Sequence, residues 1–238
     1  MSSPHKPLVY IISAPSGSGK STLVNELLKK VSDLEFSISY TTRAPRGSEI
    51  NGRQYYFVSR AEFEKMIRED AFLEHAEVFD RFYGTARRFL QQAEEYGRDL
   101  LLDIDVQGAK QIQDKLPDAV SIFIVPPDRK TLEERLRKRS EDSDPEIQRR
   151  LEKATGEIEN YDRYNYILVN DQLEDSIRLL RAVVRGERLR RAGRALSEEE
   201  AKTVALAECC LLPNMRERVK SILESFKRQG NSGSSGPP

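Results

Sequence analysis

A glycine–serine loop ending in lysine sits between a short β-branched run and a helical stretch, and no other feature restricts the possible folds of this chain as much. Leu8-Val9-Tyr10-Ile11-Ile12 is continuously apolar, the pattern of a strand buried on both faces of a parallel sheet. From Lys20 through Lys30, Leu23, Val24, Leu27 and Leu28 recur at helical spacing. The loop between them reads Ala14-Pro15-Ser16-Gly17-Ser18-Gly19-Lys20-Ser21, the phosphate-loop pattern G-x-x-x-x-G-K-S with Ala14 where the first glycine is usual. Backbone N–H groups must all turn toward phosphate oxygens in such a loop, and Gly17 and Gly19 keep that freedom at the tightest positions. A helix starting near Lys20 adds its positive end. Lys20 is then placed to reach β- and γ-phosphates and the Ser21 hydroxyl to coordinate Mg²⁺, with Thr22 completing the nucleotide-binding segment. A mononucleotide-binding α/β fold that takes a nucleoside triphosphate is expected.

Composition excludes several partners. Lys+Arg and Asp+Glu balance at 39 each, so net charge calls for neither nucleic acid nor an anionic membrane. A charged fraction of 33%, no Trp and a mean hydropathy of -0.63 fit a soluble, helix-rich protein. The run from Leu8 to Ile12 is too short to span a bilayer and no basic segment with an apolar core precedes it, so a cytoplasmic location is expected. Cys209 and Cys210 are adjacent, a strained arrangement for a disulfide, and read as free thiols. His5 and His75 have no zinc-ligand spacing, so no structural metal is expected.

Between Phe36 and Val58 the pattern changes to short alternating pieces, Ser37-Ile38-Ser39-Tyr40 and Tyr55-Tyr56-Phe57-Val58, divided by Pro45-Arg46-Gly47 and Asn51-Gly52. They suggest a small β-rich subdomain inserted in the α/β core. Helices over 60–69 and 86–96 bracket the segment Phe72 to Thr85. Leu100 to Asp105, Val120 to Val125 and Tyr166 to Asn170 read as further buried strands. The charged stretch 129–159, with a polar break from Ser140 to Pro145, reads as a mobile helical hairpin. A helix follows over 173–191, the chain restarts at a Ser197–Glu200 capping box, and helices continue to Arg228. The end, 230–238, is Gly, Ser and Pro only and is expected to be disordered.

A phosphate loop alone leaves GTPases, ATPases and small-molecule kinases open. No Asn-Lys-x-Asp guanine-reading motif of the GTPase kind is present. Instead the chain carries Ser39-Tyr40-Thr41-Thr42-Arg43-Ala44-Pro45-Arg46, then Gly52-Arg53-Gln54-Tyr55-Tyr56-Phe57, Phe82-Tyr83-Gly84-Thr85 and Leu102-Asp103-Ile104-Asp105-Val106-Gln107-Gly108. With the phosphate loop, and in this order, these motifs resemble the guanylate kinases from Leu8 to Arg190. The resemblance implies an α/β fold: a P-loop NTPase core with a parallel sheet flanked by helices, an inserted β-rich GMP-binding subdomain over 36–90 and a helical lid over 129–159. The whole occupies 6–190, with a helical C-terminal extension over 191–229 and the tail over 230–238. It also implies transfer of the γ-phosphoryl group of ATP to GMP, and to dGMP with it, giving ADP and GDP in purine nucleotide metabolism, with Mg²⁺ as cofactor.

Guanine presents adjacent N1–H and N2–H donors that one carboxylate can accept, whereas adenine offers an acceptor at N1. Pattern alone would leave Glu74 an ordinary surface carboxylate; the resemblance makes it the base reader, with Ser39 donating to O6 and Asp105 as a second acid. Arg43 and Arg46 flank a proline, so two guanidinium forks can converge on one phosphate. Tyr55 and Tyr83, which pattern alone would place in a core, complete that cradle by resemblance, and Gly84 and Thr85 belong to the same motif. Asp103 ends a strand either as a cap for the next turn or as an acid holding Mg²⁺ partly through water. Arg135, Arg139 and Arg150 match the family's lid arginines, and Asn170 its adenine-side residue.

Two rivals remain. A kinase for another monophosphate is opposed by Ser39 and Glu74. A guanylate-kinase-like scaffold, binding proteins instead of nucleotides, is opposed by the intact Gly17, Gly19, Lys20 and Ser21. Nothing in the sequence decides between a monomer and a homo-oligomer, or what the extension beyond Arg191 does.

Overall fold

The structure is a computed structural model that describes residues 6–78, 80–139 and 143–227. In chain order the elements begin with β1 (Val9–Ser13), α1 (Lys20–Lys30), β2 (Leu34–Ser37), β3 (Tyr40–Thr41), β4 (Tyr56–Phe57), α2 (Arg60–Arg68), β5 (Phe72–Val78), β6 (Arg81–Ala86) and α3 (Arg88–Glu95). There follow β7 (Asp99–Asp103), α4 (Val106–Lys115), β8 (Val120–Val125), α5 (Arg129–Arg139), α6 (Asp144–Ile158), β9 (Tyr166–Val169), α7 (Leu173–Ala192), α8 (Glu198–Glu208) and α9 (Leu212–Lys227). Five strands form a parallel sheet in the order β2-β7-β1-β8-β9. Every residue of β1 and β8 is buried, which is why both read as unbroken apolar runs. Helices flank this sheet in a mixed α/β architecture, as the sequence leads one to expect.

The chain divides into two compact units, one holding the described residues up to Ile12 and Val31–Ser121, the other Ser13–Lys30 and the described residues from Ile122 on. In the first, β4-β3-β6-β5 make a second sheet, with β5 and β6 an antiparallel hairpin. Phe63 of α2 stacks on Phe72 and Phe82 at centroid distances of 4.5 and 5.3 Å. Gly84 makes this possible: a Cβ there would lie 2.9 Å from Phe72 Cδ1 and 3.0 Å from Phe63 Cζ. In the second unit α7 packs on α1 and α8, and Gly186 lets Ala207 approach closely.

Three segments depart from expectation. Phe36 and Ser37 pair with Leu101 and Leu102, so the start of the stretch read as an inserted subdomain belongs to the parallel sheet. The segment between α2 and α3 is the β5–β6 hairpin, in which Phe72, Leu73 and Glu74 are buried in succession because the register shifts there. Residues 106–115 form α4, which the sequence reading passes over. The strand before it ends at Asp103, and Asp105 caps the helix by accepting from Gln107 N and Gly108 N at 3.1 and 2.9 Å. The helical hairpin is present as α5 and α6. Residues 140–142 of its polar break, His5 and the tail over 230–238 lie outside the described residues.

Candidate active site

The phosphate loop leaves the buried end of β1 and enters α1 at Lys20. Gly17 and Gly19 take φ values of 93° and 88°, the left-handed region that only glycine occupies without strain. Space is short as well: a Cβ on Gly17 would lie 2.8 Å from Leu136 Cδ2, and one on Gly19 would collide with the Asn170 amide. The fold of the loop is held by Ser18 N donating to Pro15 O and by buried Asn170, whose Nδ2 donates to Ser18 O at 2.7 Å. Asn170, expected on the adenine side, thus commits its amide to bracing the loop. Ala14, Pro15, Ser16 and Lys20 lie along the same turn, with Ser21 and Thr22 exposed in the first turn of α1.

Two of the expected lid arginines meet this neighbourhood. Arg150 of α6 donates to Ser16 Oγ at 2.8 Å. Arg135 of α5 reaches Asp171 O through Nη2, while its Nη1 is buried with no hydrogen-bond partner among the described residues. A guanidinium N–H in that condition is a ready donor for an anionic oxygen. Arg139 closes α5; its side chain lies outside the described residues.

In the other unit, Glu74 of β5 is 3% exposed. Burial pushes its carboxyl up to about 7 and the charge of Asp105 adds to this, against lowering by Thr85 and Lys115. Glu74 and Thr85 are cross-strand partners. Gly108, at the start of α4, packs so closely that a Cβ on it would lie 2.5 Å from Glu74 Oε2 and 3.5 Å from Asp105 Oδ1, so the two acids flank one backbone turn. Gln111 fixes the approach of α4 to β5, donating to His75 O at 2.7 Å and accepting from His75 N at 3.3 Å, and Lys115 donates to Leu73 O. Ser39 is half-buried, its carbonyl accepting from Tyr56 N.

Arg43, Arg46 and Tyr83 line one cavity of about 350 Å³. Arg43 is presented by a stitch that continues the β3–β6 pairing: Thr41 Oγ1 donates to Phe82 O and accepts from Arg43 N. Its guanidinium lies 5.3 Å from the Tyr55 ring centroid, and the Tyr55 ring meets Tyr83 edge-on at 5.9 Å. Burial, then the charge of Asp103, pushes the Tyr55 hydroxyl up to about 12, so it remains a hydrogen-bond donor. Asp103 itself is half-buried at the end of β7.

Sequence reasoning passed over Glu49. Its carboxylate holds the Arg43 fork by two bonds, 2.8 and 2.9 Å, and accepts from Arg46 N at 2.7 Å. That pairing holds Arg43 above its ordinary value and Glu49 below. The signal was an acid in the loop that follows two arginines. Gln111 carried no signal, because its bonds go to a backbone remote in sequence.

The guanylate kinase family model matches residues 6–187. The guanylate kinase of Koribacter versatilis is 59% identical over 222 residues, 92% of this chain and 95% of that protein, a span that reaches past the end of the family match. That of Methylococcus capsulatus is 49% identical over 182 residues, 76% of this chain and 89% of its own. Among solved structures, the guanylate kinase of Anaplasma phagocytophilum superposes with a TM-score of 0.65 at 35% identity, covering 77% of this chain and 87% of that one.

Proposed function

The chain belongs to the guanylate kinase family, and on that premise we propose that its phosphate loop takes ATP, its Glu74 pocket reads guanine and its arginine-lined cavity grips the monophosphate. It transfers the γ-phosphoryl group of ATP to GMP, giving ADP and GDP. Glu74 carries the reading. A carboxylate buried to 3% exposure beside a second acid is costly unless a ligand supplies donors, and the paired N1–H and N2–H of guanine do so. dGMP offers the same base edge and phosphate and is accepted too.

The nucleophile is a phosphate oxygen of GMP, already largely ionised because its second pKa is about 6, so no general base is required. What the chain supplies is position and positive charge. Arg43 and Arg46 hold the acceptor phosphate, with the hydroxyls of Tyr55 and Tyr83 as further donors. Lys20, the inward N–H groups of the loop, Arg135 and Arg150 neutralise the triphosphate and the moving phosphoryl group. The α5–α6 hairpin acts as the lid that keeps water from taking that group. The Ser21 hydroxyl and Asp103 carboxylate are hard oxygen donors of the kind Mg²⁺ takes. Among the described residues no cluster of three or more His, Cys, Asp or Glu could hold an ion, so phosphate oxygens and water would complete its shell. Held there, Mg²⁺ would supply positive charge that offsets the charge of the phosphates.

An ADP-release assay with Mg-ATP and GMP, dGMP, AMP, CMP or UMP tests this. Turnover confined to the two guanine nucleotides is expected. Comparable turnover of AMP would overturn the role given to Glu74, and none with any acceptor would favour a binding module.

A further inference from the structure

Beside Arg43, Arg46 and Tyr83, the cavity has a wall that no motif in the sequence points to: Arg81, the first residue of β6. Arg81 and Tyr83 are two residues apart on one strand, so their side chains leave the same face of the sheet, and both line the cavity. Val78, the residue paired with Arg81 across the hairpin, lines it as well, so the position of Arg81 is fixed by strand register.

Charge balance gives this arginine its role. A nucleoside monophosphate brings a charge of about −1.5 to −2 at neutral pH. Of the two arginines already assigned to it, Arg43 is compensated by the two-bond pairing with Glu49, and the same carboxylate also takes the backbone N–H of Arg46. Counting Glu49, the expected cradle therefore holds one net positive charge against nearly two negative ones. The Arg81 side chain makes no hydrogen bond or ion pair among the described residues, and its exposed guanidinium supplies the missing charge. We infer that Arg81 is a third phosphate-gripping residue of the acceptor site, binding the monophosphate end of the nucleotide in the cavity it shares with Arg43 and Arg46. The inference rests on the reading of this cavity as the GMP phosphate site.

The test compares GMP with guanosine, which keeps the base and lacks the phosphate. Affinities of both, and of ATP, would be measured for the wild-type chain, Arg81→Ala, Arg81→Lys and Arg46→Ala. Arg81→Ala is expected to weaken GMP about tenfold, the scale of one charge-assisted contact in a partly solvated site, with guanosine, ATP and melting temperature unchanged. Arg81→Lys should recover part of the loss, because it restores the charge without the fork. A GMP affinity unchanged in Arg81→Ala but lost in Arg46→Ala would overturn the role of Arg81 and leave the cavity reading standing. GMP affinity unchanged in both would overturn the cavity reading and this inference with it. Equal loss of guanosine and GMP in Arg81→Ala would make the residue structural and also sink the proposal.

Discussion

Glu74, the proposed reader of guanine, carries a cost in the free protein. Its carboxyl, pushed up to about 7 by burial, binds a proton in the folded state between the ordinary carboxylate range and neutrality, where the unfolded chain has already lost it. Stability therefore falls as pH rises from about 4.5 to 7, and stays lower above that by about 3 kcal/mol for this group alone. Glu74→Gln removes the charge. It is expected to melt higher than the wild type at pH 8 and no higher at pH 4.5, checked by thermal unfolding without nucleotide at both values. The same variant turns amide N–H donors toward the donors of guanine, so its KM for GMP should rise far more than its KM for ATP. A variant that melts alike at pH 8 would mean that the carboxylate is not strained in the free protein. The burial of Glu74 was not legible in the residue itself, since an isolated Glu carries no mark of burial. Glu49 left only a weak trace, an acid following two arginines, because its pairing with Arg43 depends on how the loop between them closes.

At the scale of elements, the proposed guanine pocket depends on α4 lying tightly against β5. Gly108 is helical, where alanine would ordinarily be favoured by about 1 kcal/mol. A methyl there would instead lie 2.5 Å from Glu74 Oε2 and displace the carboxylate. Gly108→Ala is expected to raise the KM for GMP about tenfold or more, from about 1–3 kcal/mol of overpacking, with the KM for ATP unchanged. Steady-state kinetics with each substrate varied in turn would check it; a wild-type KM for GMP would show that Glu74 has room to spare. The strand–loop–helix of the phosphate loop was legible because all its determinants lie within adjacent residues. The β5–β6 hairpin was not. Its bulge buries Phe72, Leu73 and Glu74 consecutively and erases the alternation by which a half-buried strand is read. In α4 the apolar stripe is thin, with Gly108, Ala109 and Ile112 buried, too little to mark a helix without its Asp105 cap.

Over the whole molecule, the residues assigned to GMP fall in one compact unit and most of those assigned to ATP in the other, with the C-terminal extension in the latter. The extension is part of that unit's fold. β9 is the edge of the parallel sheet, and the turn between α8 and α9 pairs with it: Ile167 N donates to Cys210 O at 2.7 Å and Leu212 N to Asn165 O at 2.9 Å. An open edge strand is an aggregation hazard, so this pairing shields it. Ala207, Cys210, Val219, Ile222 and Phe226 are buried, and Ser225 Oγ accepts from Arg129 N at 3.0 Å at the start of α5, the helix that carries Arg135. Removing residues 194–238 should uncover the β9 edge and free the first turn of α5. A net loss of about 2–3 kcal/mol would lower the melting temperature by about 5–10 °C. Ser225→Ala should cost about 1 kcal/mol, as other helix caps do, and raise the KM for ATP more than that for GMP. Thermal unfolding and light scattering of the truncated chain beside the full one check the first point. Equal melting temperatures and no added scattering would make the extension an appendage, whereas a lower transition with earlier aggregation makes it the cover of the sheet edge.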